Sequence, residues 1–298
     1  MEDEIVRAFT FIIPGLSRGL VYALIALGFV LIFKCTGIFN LAVGEMMVFG
    51  GYLCYFFSVQ LGVPLWGAVV LTVIGAGVVG LITNRLFIRP LIGQPVIAMV
   101  FITLALGSII IGTIILFWGS ATLFVPRLFP AGGISIMGST LGWNYIGFGV
   151  VSLVLLIGLL AFFRYSRIGL SMMAISEDQQ AAQALGVSVK RIVMVAWVIG
   201  ITTAAIGGIM LTSLTSVQYG QATLGLIGIA VALVGGLQSM GGVIIGGLLV
   251  GLVQGLSAGY IDQYVPGSFQ EVSAYIVMML VLLLRPHGFF GWERIERV

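Results

Sequence analysis

The chain offers few side chains that could do chemistry. Its 298 residues include ten carboxylates, thirteen lysines and arginines, and one histidine. That histidine, His287, stands beside Pro286 near the C-terminal end with no second ligand close in sequence, so no metal centre is expected. Neither Lys34 nor Lys190 follows a glycine, so the chain carries no GxxxxGK[ST] loop to cradle a nucleotide phosphate. No Ser/His/Asp set can be assembled from apolar runs so poor in ionisable groups, and a membrane-embedded enzyme is disfavoured. Glu45 remains as the one carboxylate well inside an apolar run. A charge at such depth is costly and normally faces a cavity or a partner. It closes the string Asn40-Leu41-Ala42-Val43-Gly44-Glu45. Asn40 is a good N-cap and Gly37 and Gly44 flank it, so this span is expected to begin as an interrupted helix whose amide-bearing end helps line a translocation path. Asn40, Val43, Gly44 and Glu45 are the candidate pathway residues.

The second polar feature is the stretch 164–192, the least hydrophobic in the chain. Ser176 and Gln179 have the spacing of a capping box, and Glu177 and Asp178 would occupy a first turn, where the helix dipole favours acids. Gly186 supplies the stop, because a residue without Cβ adopts the left-handed conformation after a helix at little cost. The spacing predicts a helix over 177–185, about 14 Å long and far too short to span a bilayer. Its Ala181, Ala182, Ala184 and Leu185 suit insertion into a cleft on another protein.

These features sit in a frame set by composition. Hydrophobic residues make up 60% of the chain and charged residues 8%, where a soluble domain carries about 25% charged residues. The fold class is therefore all-α, a polytopic membrane protein of about eight to ten transmembrane helices. Apolar runs of spanning length fall near 9–33, 41–60, 64–84, 95–118, 145–163, 193–215, 222–238, 242–260 and 271–285. With the N-terminus outside, Lys34, Arg85, Arg89, Arg164, Arg167, Lys190, Arg191, Arg285, Arg294 and Arg297 fall inside. Only Arg7, Arg18 and Arg127 remain outside, a strong positive-inside asymmetry. The loop 164–192 is then cytoplasmic. The loop 119–144 is the longest outer segment, with room for a short helix or hairpin, and Asp262 and Glu271 fall in later outer loops. The start MEDEIVR is acidic where a secretory signal would be basic. Cys35 and Cys54 lie towards opposite ends of their spans and are expected to be unpaired. The net charge of +3 gives no reason to expect nucleic acid.

Forty-three glycines sit largely inside the apolar runs, as tight helix packing requires. Gly242 and Gly246, then Gly247, Gly251, Gly255 and Gly259, recur at four-residue spacing on shared helix faces. They are expected to let a second backbone approach closely, within this chain or at a seam with another subunit. No internal repeat stands out in the sequence.

Gln180-Ala181-Ala182 followed by Gly186 resembles the EAA motif of ABC importer permeases. The longer string Glu177-Asp178-x-x-Ala181-Ala182-x-x-Leu185-Gly186 resembles the branched-chain amino acid class of those permeases more specifically. Asn40 to Glu45 is similar to the Asn-Phe-Ala-His-Gly-Glu string of the same family, with Val43 in place of its His. The glycine-rich LGLIGIAVALVGGLQSMGG and the tail LLLRPHGFFG extend the resemblance over essentially the whole chain. The resemblance implies one transmembrane permease domain over 1–298, not an enzyme, serving an importer of branched-chain or related amino acids in a bacterial-type inner membrane. It implies a second homologous permease, two ATPase subunits and a periplasmic substrate-binding protein as partners. The chain itself would bind no cofactor, ATP and Mg being used by the ATPases. It further implies that Ser176, Glu177, Asp178, Gln180, Ala181, Ala182, Leu185 and Gly186 couple to an ATPase. The alternatives are a secondary transporter, which would want more intramembrane carboxylates than Glu45, or a permease of the same family for urea, amides or aromatic acids.

Overall fold

The computed structural model describes residues 2–91, 93–136, 139–265 and 267–291. Its helices are α1 (Glu2–Thr36), α2 (Val43–Tyr55), α3 (Leu65–Thr83), α4 (Val96–Trp118), α5 (Trp143–Tyr165), α6 (Arg167–Glu177), α7 (Gln179–Ala184), α8 (Val189–Leu214), α9 (Ala222–Gly235), α10 (Met240–Tyr260) and α11 (Phe269–Leu284). A two-stranded antiparallel hairpin, β1 (Gly133–Ile136) and β2 (Ser139–Gly142), fills part of the long loop before α5. Six of the described helices are long and apolar enough to cross a membrane, and α9 and α11 are shorter apolar helices. The protein is an all-α, multi-pass membrane protein.

Boundaries follow local chemistry. Pro64 and Pro95 stand immediately before α3 and α4 in extended conformations, where a fixed φ and a missing N–H suit entry into a helix. Gly62 (φ +66°) turns the chain between α2 and α3, and Gly119 (φ +71°) ends α4. Ser239 opens α10 by accepting the Gly242 N–H at 3.0 Å.

The chain divides into two compact units, neither continuous in sequence: residues 1–26, 129–156 and 227–298 form one, and residues 27–128 and 157–226 the other. In the second unit α8 is the axis. A Cβ on Gly208 would strike the Met47 backbone of α2, and one on Gly80 of α3 would lie 2.8 Å from Val198 Cα. Trp197, Tyr52 and Met46 are fully buried there. In the first unit the early part of α1 is the axis. Gly15 and Gly19 meet Gly251 and Gly247 of α10, and Gly228 of α9 meets Ile25. Every approach uses glycine because helix backbones this close leave no room for a Cβ.

The order long helix, break, short helix, helix, helix occurs twice, as α1 to α4 and as α8 to α11. In each unit the long helix of one series holds the short helix and the next helix of the other. Where α1 and α8 touch, in the second unit, Gly28 faces Thr203 and Gly200 while Ile32 faces Gly200, so the two long helices run antiparallel. The element order thus recurs along the chain, a repeat that sequence inspection does not reveal.

Candidate functional site

The residues 37–42 do not leave the membrane cleanly between α1 and α2. Thr36 ends α1 with its hydroxyl on the Ile32 carbonyl, and Gly37 (φ +69°) reverses the chain. Phe39 then lies back against α1, its ring 4.9 Å from that of Phe29 and 6.0 Å from that of Phe33. The Leu41 N–H donates to Thr103 Oγ1 at 3.2 Å. Thr103 stands seven residues into α4, about 11 Å along that helix. Val43, the first residue of α2, therefore begins its helix inside the membrane rather than at the surface.

Asn40 shapes this start without capping it. Its Oδ1 accepts the Ala42 N–H at 3.1 Å, an Asx turn, and its Nδ2 reaches Met46 Sδ at 3.6 Å. Ala42 occupies the N-cap position with no side-chain bond. Gly44 lies against the Ala222 carbonyl, and a Cβ on Gly225 would strike the Gly44 backbone. The first turns of α2 and α9 thus cross at contact distance, both starting at breaks. Glu45, half-buried, directs its carboxyl at Gly107, where an added Cβ would lie 3.1 Å from Cδ. Gly107 is the middle residue of α4, so the carboxylate lies near mid-depth. Its Oε2 is buried without a protein hydrogen-bond partner. Sequence reasoning found the string 40–45 but missed Thr103 and Gly107, since a Thr and a Gly in an apolar helix carry no distinguishing pattern.

The second group, in the polar stretch 164–192, departs from expectation in one respect. The single helix 177–185 capped by Ser176 is replaced by two helices. Ser166 caps α6 by accepting the Gly169 N–H at 2.9 Å, and α6 continues to Glu177. Ser176 is therefore already inside a helix, and its hydroxyl donates back to the Met173 carbonyl. Asp178, extended at φ −150°, breaks the chain and caps α7, accepting the Gln180 and Ala181 N–H groups at 2.8 and 2.9 Å. Asp178 takes the cap because α6, begun at Ser166, already holds Ser176 in helix. Gly186 is left-handed (φ +86°), as the sequence requires. The Gly186 N–H bonds the Gln183 carbonyl and the Val187 N–H the Ala182 carbonyl, a complete Schellman ending. Ala182 is buried, Ala181 is exposed and Leu185 is 84% exposed.

The third group packs within the first unit. Gly247 and Gly251 face Gly19 and Gly15, Gly255 and Gly259 face Phe11, and Gly242 and Gly246 face Gly235 of α9. Cys35 and Cys54 are buried free thiols. Among the described residues no three His, Cys, Asp or Glu side chains cluster to hold a metal ion.

The profile of the family described as branched-chain amino acid transport system, permease component, matches residues 11–284. The chain belongs to this family. It is 27% identical to the high-affinity branched-chain amino acid transport system permease protein LivH of Salmonella typhimurium, over 100% of both chains. It is 29% identical to the corresponding BraD of Pseudomonas aeruginosa, over 99% of both. Among solved structures, PsaBC from Streptococcus pneumoniae in complex with Fab shares the fold, with TM-score 0.52 and 15% identity over 93% of this chain and 92% of that one. The family's members supply the frame for the polar elements described above.

Proposed function

We propose that this chain is the membrane-spanning permease subunit of an ATP-driven importer for branched-chain or related small amino acids, set in a bacterial-type inner membrane. It works as one permease domain beside a second homologous permease. Two ATPase subunits bind and hydrolyse ATP with Mg, and a periplasmic binding protein delivers the substrate. The observation that carries this reading is the α6–α7 pair. It presents Leu185, Leu170 and Met173 to solvent on the side holding most of the chain's lysines and arginines, the cytoplasmic side by the charge rule. A rigidly capped helix with an exposed leucine at its end transmits a push better than a frayed loop. ATP binding would draw the ATPases together and move α7, and α8 follows directly after Gly186. The α8 helix packs on α2, so movement would reach the Gly44–Ala222 crossing, where the unpartnered Glu45 Oε2 would gain a hydrogen bond as the gate moves.

The test is reconstitution in proteoliposomes with the second permease, the ATPases and the binding protein. Leucine uptake should require ATP on the ATPase side and should cease when the ATPases are omitted. Uptake driven by an ion gradient without them would replace this reading with a secondary transporter.

A further inference from the structure

The first unit contains a cavity that neither the α2–α9 crossing nor the α6–α7 pair uses. It has a volume of about 280 Å³ and is lined from α1, α10, α11, the β2 strand and the start of α5. Its position is fixed by where those elements begin and end. Ala258 lies in the last turn of α10, Gln270 in the first turn of α11 and Tyr145 in the first turn of α5. Helix order from an outer N-terminus puts all three at the outer end of this unit.

Arg18 is the cation in its wall. It stands ten residues into the span Ala8–Thr36, about 15 Å along the helix, where a charged side chain calls for a partner. Its Nη2 reaches the Tyr145 hydroxyl at 3.4 Å, and its guanidinium carbon is 5.7 Å from the Tyr145 ring centroid. A guanidinium has five N–H donors in a planar fork, so one long bond to a phenol, among the described residues, leaves most of them for a ligand. The remaining wall divides by polarity. Thr140 and Gln270 offer hydroxyl and amide groups, while Phe11, Pro14 and Leu141 offer apolar surface. Gln270 is held at the wall by its own N–H, which donates to Asp262 Oδ1 at 3.0 Å. At about 30 Å³ per water, the volume takes about nine waters, comparable to the heavy atoms of an aliphatic amino acid.

We infer that this cavity is a binding site for an amino-acid-sized carboxylate, with Arg18 taking the carboxylate group and the apolar wall taking the side chain. The choice of an amino acid over other small carboxylates rests on the importer reading; the carboxylate class itself rests on Arg18 and the cavity alone. Such a site would hold substrate in the outer half of this unit after release from a receptor.

The test uses the full-length chain in nanodiscs of phosphatidylcholine, with Cys35 and Cys54 replaced by alanine and Ala258→Cys as reporter in the cavity wall. L-leucine and 4-methylpentanoate should each slow maleimide labelling of the reporter, whereas leucinol, which lacks the carboxylate, should not. Arg18→Gln should weaken protection by about tenfold or more, the loss of a charge-assisted pair, and Arg18→Lys should restore part of it. Calorimetric titration of the cysteine-intact chain with L-leucine gives the same comparison if the reporter variant does not fold. Equal protection by leucinol, or protection indifferent to Arg18→Gln, overturns the inference. So does protection that appears only when anionic phosphatidylglycerol is added, which would make the cavity a lipid headgroup site. ATP-driven uptake by the reconstituted importer is scored separately. Intact uptake with no protection sinks the site and leaves the importer standing, and protection with no uptake does the reverse.

Discussion

Glu45 carries the residue-scale question. Its carboxyl sits on the first turn of α2 with Oε2 buried and unpartnered, close enough to Gly107 that an added Cβ there would crowd it. If Oε2 takes up its missing hydrogen bond as the gate moves, Glu45→Gln keeps most uptake, while Glu45→Leu loses about tenfold at equal membrane expression, the worth of one hydrogen bond to a buried acceptor. ATP-driven uptake in proteoliposomes is the measurement, and equal, near-normal uptake in both variants would make Glu45 incidental. On α9 the residue that follows Gly225 is Leu226. The two crossing helices share glycines at their contact but not the acid.

At the scale of elements, α7 and α10 give the sharpest expectations. Gly186→Val puts a β-branched residue at φ +86°, which costs roughly 1–3 kcal/mol and undoes the Schellman ending. The permease should still insert, while substrate-stimulated ATP hydrolysis by the assembled importer falls; unchanged hydrolysis would mean that α7 does not dock. On α10, Gly251→Ala should cost about 1–3 kcal/mol, because its Cβ would collide with Gly15 and Gly19. Gly241→Ala on the same helix meets nothing within 4 Å and should gain about 0.5 kcal/mol from a stiffer unfolded chain. Thermal unfolding in detergent compares them, and equal melting temperatures would show that the ladder does not hold α1. The ladder and the Gly186 stop were legible because glycine at fixed spacing has few other meanings in a helix. The cap was not: Ser176 and Asp178 both fit the start of a helix, and only the upstream helix from Ser166 decides between them. That helix was itself legible in retrospect, since Gly169, Met172 and Ile175 are buried at three-residue spacing.

At the scale of the whole molecule, runs of apolar residues locate helices but not where a helix begins in depth. The run 41–60 reads as one span, yet its first residues turn back along α1 and start α2 inside the membrane, a path set by Gly37, Phe39 and Thr103 together. Two such breaks, before α2 and before α9, leave the count of crossings unchanged and so preserve the charge asymmetry that fixes orientation. Following the helices in order from an outer N-terminus puts the α2–α3 turn outside and α7 inside. In a background lacking Cys35 and Cys54, Gln183→Cys should react with an impermeant maleimide only from the cytoplasmic side. Leu61→Cys, exposed beside the Gly62 turn, should react only from the other side. Both residues are exposed and neither lies in a glycine contact, so a failure to label cannot be laid to burial. Labelling of Gln183→Cys from outside would invert the molecule, and it would put the α6–α7 pair beyond the reach of any ATPase.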